Sequence, residues 1–266
     1  MHRKIAFIGG GNMAASLVGG LLKAEYPAAC IRVAEPAGDR ARWLKRQFGV
    51  DVKSAAGEVV AGAEAIVLAV KPQVMSEVLR DLKPDPGTAI ISIAAGVRLD
   101  TLQRALGPKM HYVRTMPNTP ALYGAGITGL FAPPRTPANV RGLAETILRA
   151  AGAIVWLDRE EDLDAVTALS GSGPAYFFLL TEALRDAGVA LGLSPDTAAR
   201  LAKQTCVGAG RMLAESQVDV GELRAQVTSK GGTTEAAIAH LESAGLRQIF
   251  REALAKAAAR AAEMGK

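Results

Sequence analysis

The chain has 266 residues, 49% of them hydrophobic and 21% charged, with 31 Lys+Arg against 26 Asp+Glu and a formal net charge of +5. That composition supports a buried core and excludes a disordered chain. The basic surplus forms no run or stripe, which argues against a nucleic-acid module and leaves a mixed-charge surface biased towards anionic small molecules.

In chain order, Lys4-Ile-Ala-Phe-Ile8 reads as a buried strand, and Asn12 to Ala24 carries Met13, Leu17, Leu21 and Leu22 at helical spacing. Ile31–Ala34 is a second strand and Gly38–Phe48 an amphipathic helix. Ala65–Val70 is an all-apolar strand. Val74–Leu82 is a helix stopped by Pro84 and Pro86. Strands follow at Ala89–Ala94, Met110–Thr115 and Gly126–Phe131. A helix over Ala138–Ala150 and a strand over Ala153–Leu157 complete this half. Apolar strands without polar alternation, separated by helices, imply a parallel sheet covered on both faces. The expected first domain is therefore an α/β, Rossmann-like, doubly wound unit over residues 1–157.

Beyond Asp158 the strand pattern stops. Ala175–Leu191 and Asp196–Glu215 are long helices. Between them Ser194 is placed to cap and Pro195 suits a first helical turn. Gly221–Val227, Thr233–Glu242 and Leu246–Met264 complete an all-α domain over residues 158–266. Its apolar and Ala-rich faces exceed what one copy can hide, so a homodimer through this domain is expected.

Cys30 and Cys206 lie far apart, which suits buried free thiols in a reducing compartment. His2, His111 and His240 form no metal-binding cluster, and no metal is expected. The first residues lack a long apolar signal region, and the longest apolar stretch, Ala175–Leu180, is too short to cross a bilayer. A cytoplasmic protein without a membrane segment is expected.

Gly9-Gly10-Gly11-Asn12-Met13-Ala14 follows the first strand and opens the first helix, with Gly9, Gly11 and Ala14 in the three roles of a dinucleotide turn. The first glycine permits the tight turn, the second lets a pyrophosphate approach, and the helix N-terminus supplies N–H donors. Asn12 and Met13 begin that helix. Glu35, at the end of the second strand, is placed to bond a ribose diol, which favours NAD. Arg40 and Arg42 follow closely, and a 2′-phosphate needs such partners. Both arginines can equally be solvated surface residues, so these residues alone leave the coenzyme open. Ala69-Val70-Lys71-Pro72 ends another apolar strand, where open α/β sheets bind ligands. Lys71 reads either as a phosphate or ribose contact or as an ordinary exposed lysine. Ala95 and Gly96 close the next strand with side chains small enough for a flat ring.

Five segments, in order along nearly the whole chain, resemble pyrroline-5-carboxylate reductases. They are Ala69-Val-Lys-Pro-Gln73, Ser92-Ile-Ala-Ala-Gly-Val97, Arg114-Thr-Met-Pro-Asn-Thr-Pro120, Leu169-Ser-Gly-Ser-Gly-Pro-Ala-Tyr176 and Val227-Thr-Ser-Lys-Gly-Gly-Thr-Thr-Glu235. The resemblance implies reduction of Δ1-pyrroline-5-carboxylate to L-proline by NADPH, with NADH possible. It implies dimers, often assembled into decamers. It also implies a cofactor cleft lined by Asn118 and Pro117, and a substrate wall at Ser172. Thr234, matching the family's threonine, is expected to bond the imine nitrogen. Ser229, Gly231, Gly232, Thr233 and Thr234 are expected to hold the substrate carboxylate on consecutive N–H groups. Plainer readings stand beside these: Thr233 as a helix cap, Ser172 to Pro174 as a helix start, and Asn118 as part of a turn before Pro120. Two departures from the family are visible. Relatives often carry Ser-Pro-Gly-Gly where this chain has Ser229-Lys-Gly-Gly232, and an asparagine that touches the cofactor ribose falls near Ala56 here. A β-hydroxyacid dehydrogenase would need a Gly-x-x-x-Asn-Lys pattern in the helical half, which is absent. A non-catalytic dinucleotide sensor would have no use for the Ser229–Thr234 turn.

Overall fold

A computed structural model describes residues 2–265. The first half folds as β1 (Ile5–Ile8), α1 (Asn12–Lys23), β2 (Ile31–Ala34), α2 (Gly38–Phe48), β3 (Asp51–Lys53), α3 (Gly57–Val60), β4 (Ala65–Leu68), α4 (Pro72–Asp81), β5 (Ala89–Ser92), α5 (Leu99–Leu106), β6 (His111–Met116), β7 (Gly126–Phe131), α6 (Ala138–Arg149) and β8 (Gly152–Trp156). The eight strands form one sheet in the order β3-β2-β1-β4-β5-β6-β7-β8. Strands β1, β4 and β5 are buried along their whole length, because helices cover both faces. One core cluster gathers Phe7, Leu17, Leu44, Val67 and Ile147, and the other gathers Ile8, Ile66, Leu79, Ile90 and Leu102.

The sheet is not wholly parallel, as the apolar strand pattern implied. β7 runs antiparallel to β6, Thr115 facing Leu130, and β8 is parallel to β7. The link from Met116 to Gly126 holds only a 3-10 turn, Thr119–Tyr123, and a parallel crossover needs a dozen or more residues. The pattern also overlooks β3, in which only Val52 points inward between exposed Asp51 and Lys53. It overlooks α5 as well, whose apolar face is Leu99 and Leu102.

The chain divides into two compact units. One runs to Ser172 and regains the segment from Ala257 onward, and the other is Gly173–Lys256. The sheet unit thus extends past Leu157, where the strand pattern ends. Helix α7 (Asp162–Val166) and the π-helical turn Thr167–Gly171 pack back on the sheet, with Val166 and Leu163 filling the space over Gly129. An ion-pair cluster holds this segment. Arg114 on β6 has a side chain only 3% exposed, and it meets Glu160 at 3.2 Å and Asp164 at 3.5 Å. Glu160 also accepts the N–H of Leu99 at the start of α5, at 2.9 Å.

The second unit consists of α8 (Gly173–Ala190), α9 (Pro195–Glu215), α10 (Val220–Gln226), α11 (Thr233–Ser243) and the first turns of α12 (Leu246–Met264). Ser194 caps α9 as expected, its Oγ accepting from the Thr197 N–H at 3.3 Å, with Pro195 in the first turn. Within Gly173–Lys256 only Gly173, Ala198 and Ala202 are buried. Phe177, Phe178, Leu179 and Leu180 are consecutive, and all are more than half exposed. Four successive positions cover every side of a helix, so α8 is apolar all round. Each such side chain forgoes roughly 1.5–3 kcal/mol by staying in water. Cys30 and Cys206 are free but only partly buried, less so than their apolar neighbours suggested. Among the described residues no helix is long and apolar enough to cross a membrane.

Replacing Arg114 with alanine strands two carboxylates inside the protein, and the expected loss of stability is about 3–5 kcal/mol. Both tryptophans, Trp43 and Trp156, lie in the sheet unit, so urea unfolding followed by their fluorescence measures that loss. A loss below about 1 kcal/mol would show that the cluster is not what holds α7 to the sheet.

Candidate cofactor and substrate sites

β2, β1, β4, β5 and β6 are successive neighbours in the sheet and parallel to one another, so their carboxyl ends form one rim. The sequence-predicted cofactor residues Gly9, Gly11, Asn12, Met13, Glu35, Ala69, Val70, Lys71, Pro72, Ala95, Gly96 and Asn118 all follow these strands, and the fold brings them to that rim. The connections change sides of the sheet between β1 and β4, which is where open α/β sheets form their ligand crevice.

The turn after β1 is tightly specified. Gly9 has φ +99°, and a Cβ there would sit 2.7 Å from the Ala69 carbonyl oxygen, so the β1 turn and the end of β4 approach to backbone contact. Gly11 differs: a Cβ on it would meet no atom within 4 Å. Gly11 is also the N-cap of α1 and offers no capping side chain. The N–H of Ala15 bonds to Gly11 O, while those of Asn12, Met13 and Ala14 precede the first intrahelical bond. Open space in front of a positive helix end suits a pyrophosphate, and the residues present fit a dinucleotide.

Glu35 uses both carboxylate oxygens on the turn. Oε2 accepts from the Gly10 N–H at 3.0 Å and Oε1 from the Ala37 N–H at 2.9 Å. Arg40 and Arg42 now separate. Arg40 donates from Nε to the Gly10 carbonyl at 2.7 Å and stacks over Trp43, whereas Arg42 pairs with exposed Asp39. Lys71 is exposed and forms the N-cap of α4, with Pro72 in its first turn. Ala95 is half-buried. Gly96 has φ +76°, and a Cβ there would lie 2.9 Å from the Met264 carbonyl oxygen, so the end of α12 fills the space beside it. The Asn118 carboxamide is engaged within the protein: Nδ2 donates to Ser170 O at 3.1 Å and Oδ1 accepts from the Ile127 N–H at 2.9 Å. It ties the start of β7 to the π-turn.

Ser172 directly precedes α8, which Gly173 and Pro174 begin. It closes the π-turn in a helical conformation, and its N–H donates to Thr167 O at 2.8 Å. Ser229, Gly231, Gly232, Thr233 and Thr234 come together at the start of α11. Gly232, not Thr233, is the N-cap, and Gly231 takes the turn at φ +72°. The Gly231 N–H donates to Glu235 Oε2 at 2.7 Å and the Gly232 N–H to Ser229 O at 3.0 Å. The N–H groups of Thr233, Thr234 and Glu235 precede the first intrahelical bond, made by Ala236 to Gly232 O. The N–H groups outside the turn's own hydrogen bonds therefore begin at Thr233, directly after the glycine pair.

Residues 4–96 match a family described as NADP oxidoreductase, coenzyme F420-dependent, and residues 160–264 match one described as pyrroline-5-carboxylate reductase dimerisation. The pyrroline-5-carboxylate reductase of Pseudomonas aeruginosa is 48% identical over 263 residues, 98% of this chain and 96% of that one. The chain belongs to the pyrroline-5-carboxylate reductase family. The family's solved structures reproduce the fold. A pyrroline-5-carboxylate reductase from Coxiella burnetii superposes with a TM-score of 0.94 at 42% identity, covering 99% of both chains. The Plasmodium falciparum pyrroline carboxylate reductase with NADP bound superposes with a TM-score of 0.84 at 30% identity, covering 100% of this chain and 99% of that one.

Arg114 was legible only as part of a family segment. A charged residue inside an apolar strand was the available signal for its burial. Nothing in the sequence distinguished Arg40 from Arg42.

Gly9 and Gly11 give opposite expectations on substitution by alanine. Gly9→Ala should destabilise the protein, because a new methyl strikes backbone. Gly11→Ala should cost less than about 1 kcal/mol of stability yet weaken NADP+ binding by about tenfold or more. Thermal unfolding and calorimetric titration of both variants check this. Equal coenzyme affinity in Gly11→Ala and wild type would remove the pyrophosphate from this turn.

Proposed function

We propose that this reductase converts Δ1-pyrroline-5-carboxylate to L-proline with NADPH, and with NADH as an alternative coenzyme. One observation carries the reading: an open, glycine-lined helix end at the β1–β4 crevice, in a chain related along its whole length to enzymes of this name. When bound, the coenzyme supplies the hydride.

The protein's own residues hold and orient. Asn12 and Met13, with Gly9 shaping the turn and Gly11 leaving room, meet the pyrophosphate. Glu35 meets the ribose, and the Ala69–Pro72 segment with Lys71 closes the adenosine side. Ala95, Gly96 and Asn118 border the nicotinamide end, Asn118 through its backbone, since its side chain is engaged. The substrate carboxylate rests on the N–H groups at the start of α11. Ser229, Gly231 and Gly232 shape that turn, with Thr233 beside it and Ser172 as a wall. The Thr234 hydroxyl bonds the imine nitrogen. A protonated imine is already electrophilic at carbon, so positioning and exclusion of water account for most of the rate.

A second copy of the chain covers the exposed apolar faces of α8 and α9. The dimerisation family matched over residues 160–264 supports this reading. Assembly of such dimers into a decamer and a cytoplasmic location belong to the same proposal.

The test is coenzyme oxidation that depends on Δ1-pyrroline-5-carboxylate and yields proline. Thr234→Ala should lower kcat/KM by roughly ten- to a thousandfold, the range for one aligned donor. A variant within twofold of wild type would take Thr234 out of the chemistry.

A further inference from the structure

We propose that the last turn of α12 is a positioning element for the reduction: by bracing the Ala95–Gly96 loop, it sets the nicotinamide end of the crevice and leaves the adenosine end untouched. The inference rests on the coenzyme site proposed above.

The segment from Ser92 to Leu99 is tied at both ends. Ser92 is fully buried, its carbonyl accepts the Thr115 hydroxyl at 3.0 Å, and its Oγ accepts the Ala94 N–H at 3.3 Å. At the other end the Leu99 N–H goes to Glu160. Gly96 lies between these ties, and what meets it comes from the end of α12. A Cβ on Gly96 would lie 2.9 Å from the Met264 carbonyl oxygen and 3.0 Å from the Met264 Cβ. A Cβ on Gly265 would lie 3.2 Å from the Gly96 carbonyl oxygen and 3.4 Å from Arg98 Cγ. Two glycines thus bring main chain against main chain, and neither can gain a side chain unless one segment shifts.

The turn that makes this contact is itself seated. The segment from Ala257 onward belongs to the sheet unit. Ala261 is the buried residue of α12, at 6% exposure, and it lies one helical turn before Met264 and Gly265, on the same face. The Gly265 N–H still bonds to Ala262 O at 3.2 Å, so the helical turn holds up to the point of contact.

Small displacements matter at this place. Hydride transfer needs its reacting atoms about 3–3.5 Å apart, and a misplacement of about 1 Å can cost roughly a hundredfold in rate. Ala94, Ala95 and Gly96 carry no bulky side chain that could hold the loop at a fixed height. The main chain of Met264 and Gly265 does so instead.

The experiment compares NADPH with 2′-phospho-ADP-ribose, a probe without the nicotinamide, by calorimetric titration, and adds steady-state kinetics with Δ1-pyrroline-5-carboxylate. In the full-length chain, Gly265→Val should weaken NADPH about tenfold, leave the probe within twofold of wild type, and lower kcat about tenfold or more. A chain ended at Glu263, which lacks the contact, should do the same. Arg260→Ala is the control: it breaks only the exposed pair with Glu263 and should leave both affinities and kcat within twofold. If Gly265→Val fails to fold, the shortened chain decides. Loss of fold in both, or equal weakening of NADPH and probe, would mean that the turn serves the fold alone, and would overturn the proposal. So would NADPH affinity and kcat within twofold of wild type in both variants. Failure of wild type to bind either compound would instead remove the coenzyme site beneath it, and binding without turnover would remove the proposed reaction.

Discussion

The packing of α7 and the π-turn against the sheet depends on one buried charge. Arg114 points from β6 into a space with 3% exposure, and two carboxylates from the following segment come in to meet it. Burying a guanidinium is costly unless it is paired, so Glu160 and Asp164 cannot leave without a penalty of several kcal/mol. Because Glu160 also receives the Leu99 N–H, the same cluster fixes the start of α5, just after the Ser92–Gly96 segment. Asn118 adds a second tie a few residues along, between the π-turn and β7. These polar contacts hold loops, where hydrophobic packing alone would specify position poorly.

On the other side of the crevice the organising feature is backbone proximity. Gly9 brings the β1 turn against the end of β4, and Gly11 faces open space. One glycine is required by the protein's own atoms, whereas the other has space for a side chain. The helix end behind them is uncapped, so its N–H groups remain available to an anion. The start of α11 repeats this solution in the helical unit, with Glu235 reaching back to Gly231 to hold the turn closed.

The helical unit is governed by a different constraint. With three buried residues between Gly173 and Lys256, it lacks the core that a free-standing domain needs. Its apolar helices are exposed instead, and residues 160–264 match a dimerisation family.

The strands β1, β4 and β5, the glycine turn and the Ser194 cap were readable directly, because apolar runs, glycine spacing and capping residues act over a few neighbours. The five family segments likewise located the turn at Ser229–Thr234 without a structure. Tertiary structure decided the rest. It set the antiparallel direction of β7, which depends on how short the link from Met116 is. It extended the sheet unit past Leu157, which depends on Arg114 finding partners fifty residues away. It separated Arg40 from Arg42, two residues apart in sequence, because a helix turns successive side chains to different faces and only one of those faces meets the glycine turn. Sequence carries short-range preferences, whereas the pairing of charges and the direction of strands are settled only when distant segments compete for the same space.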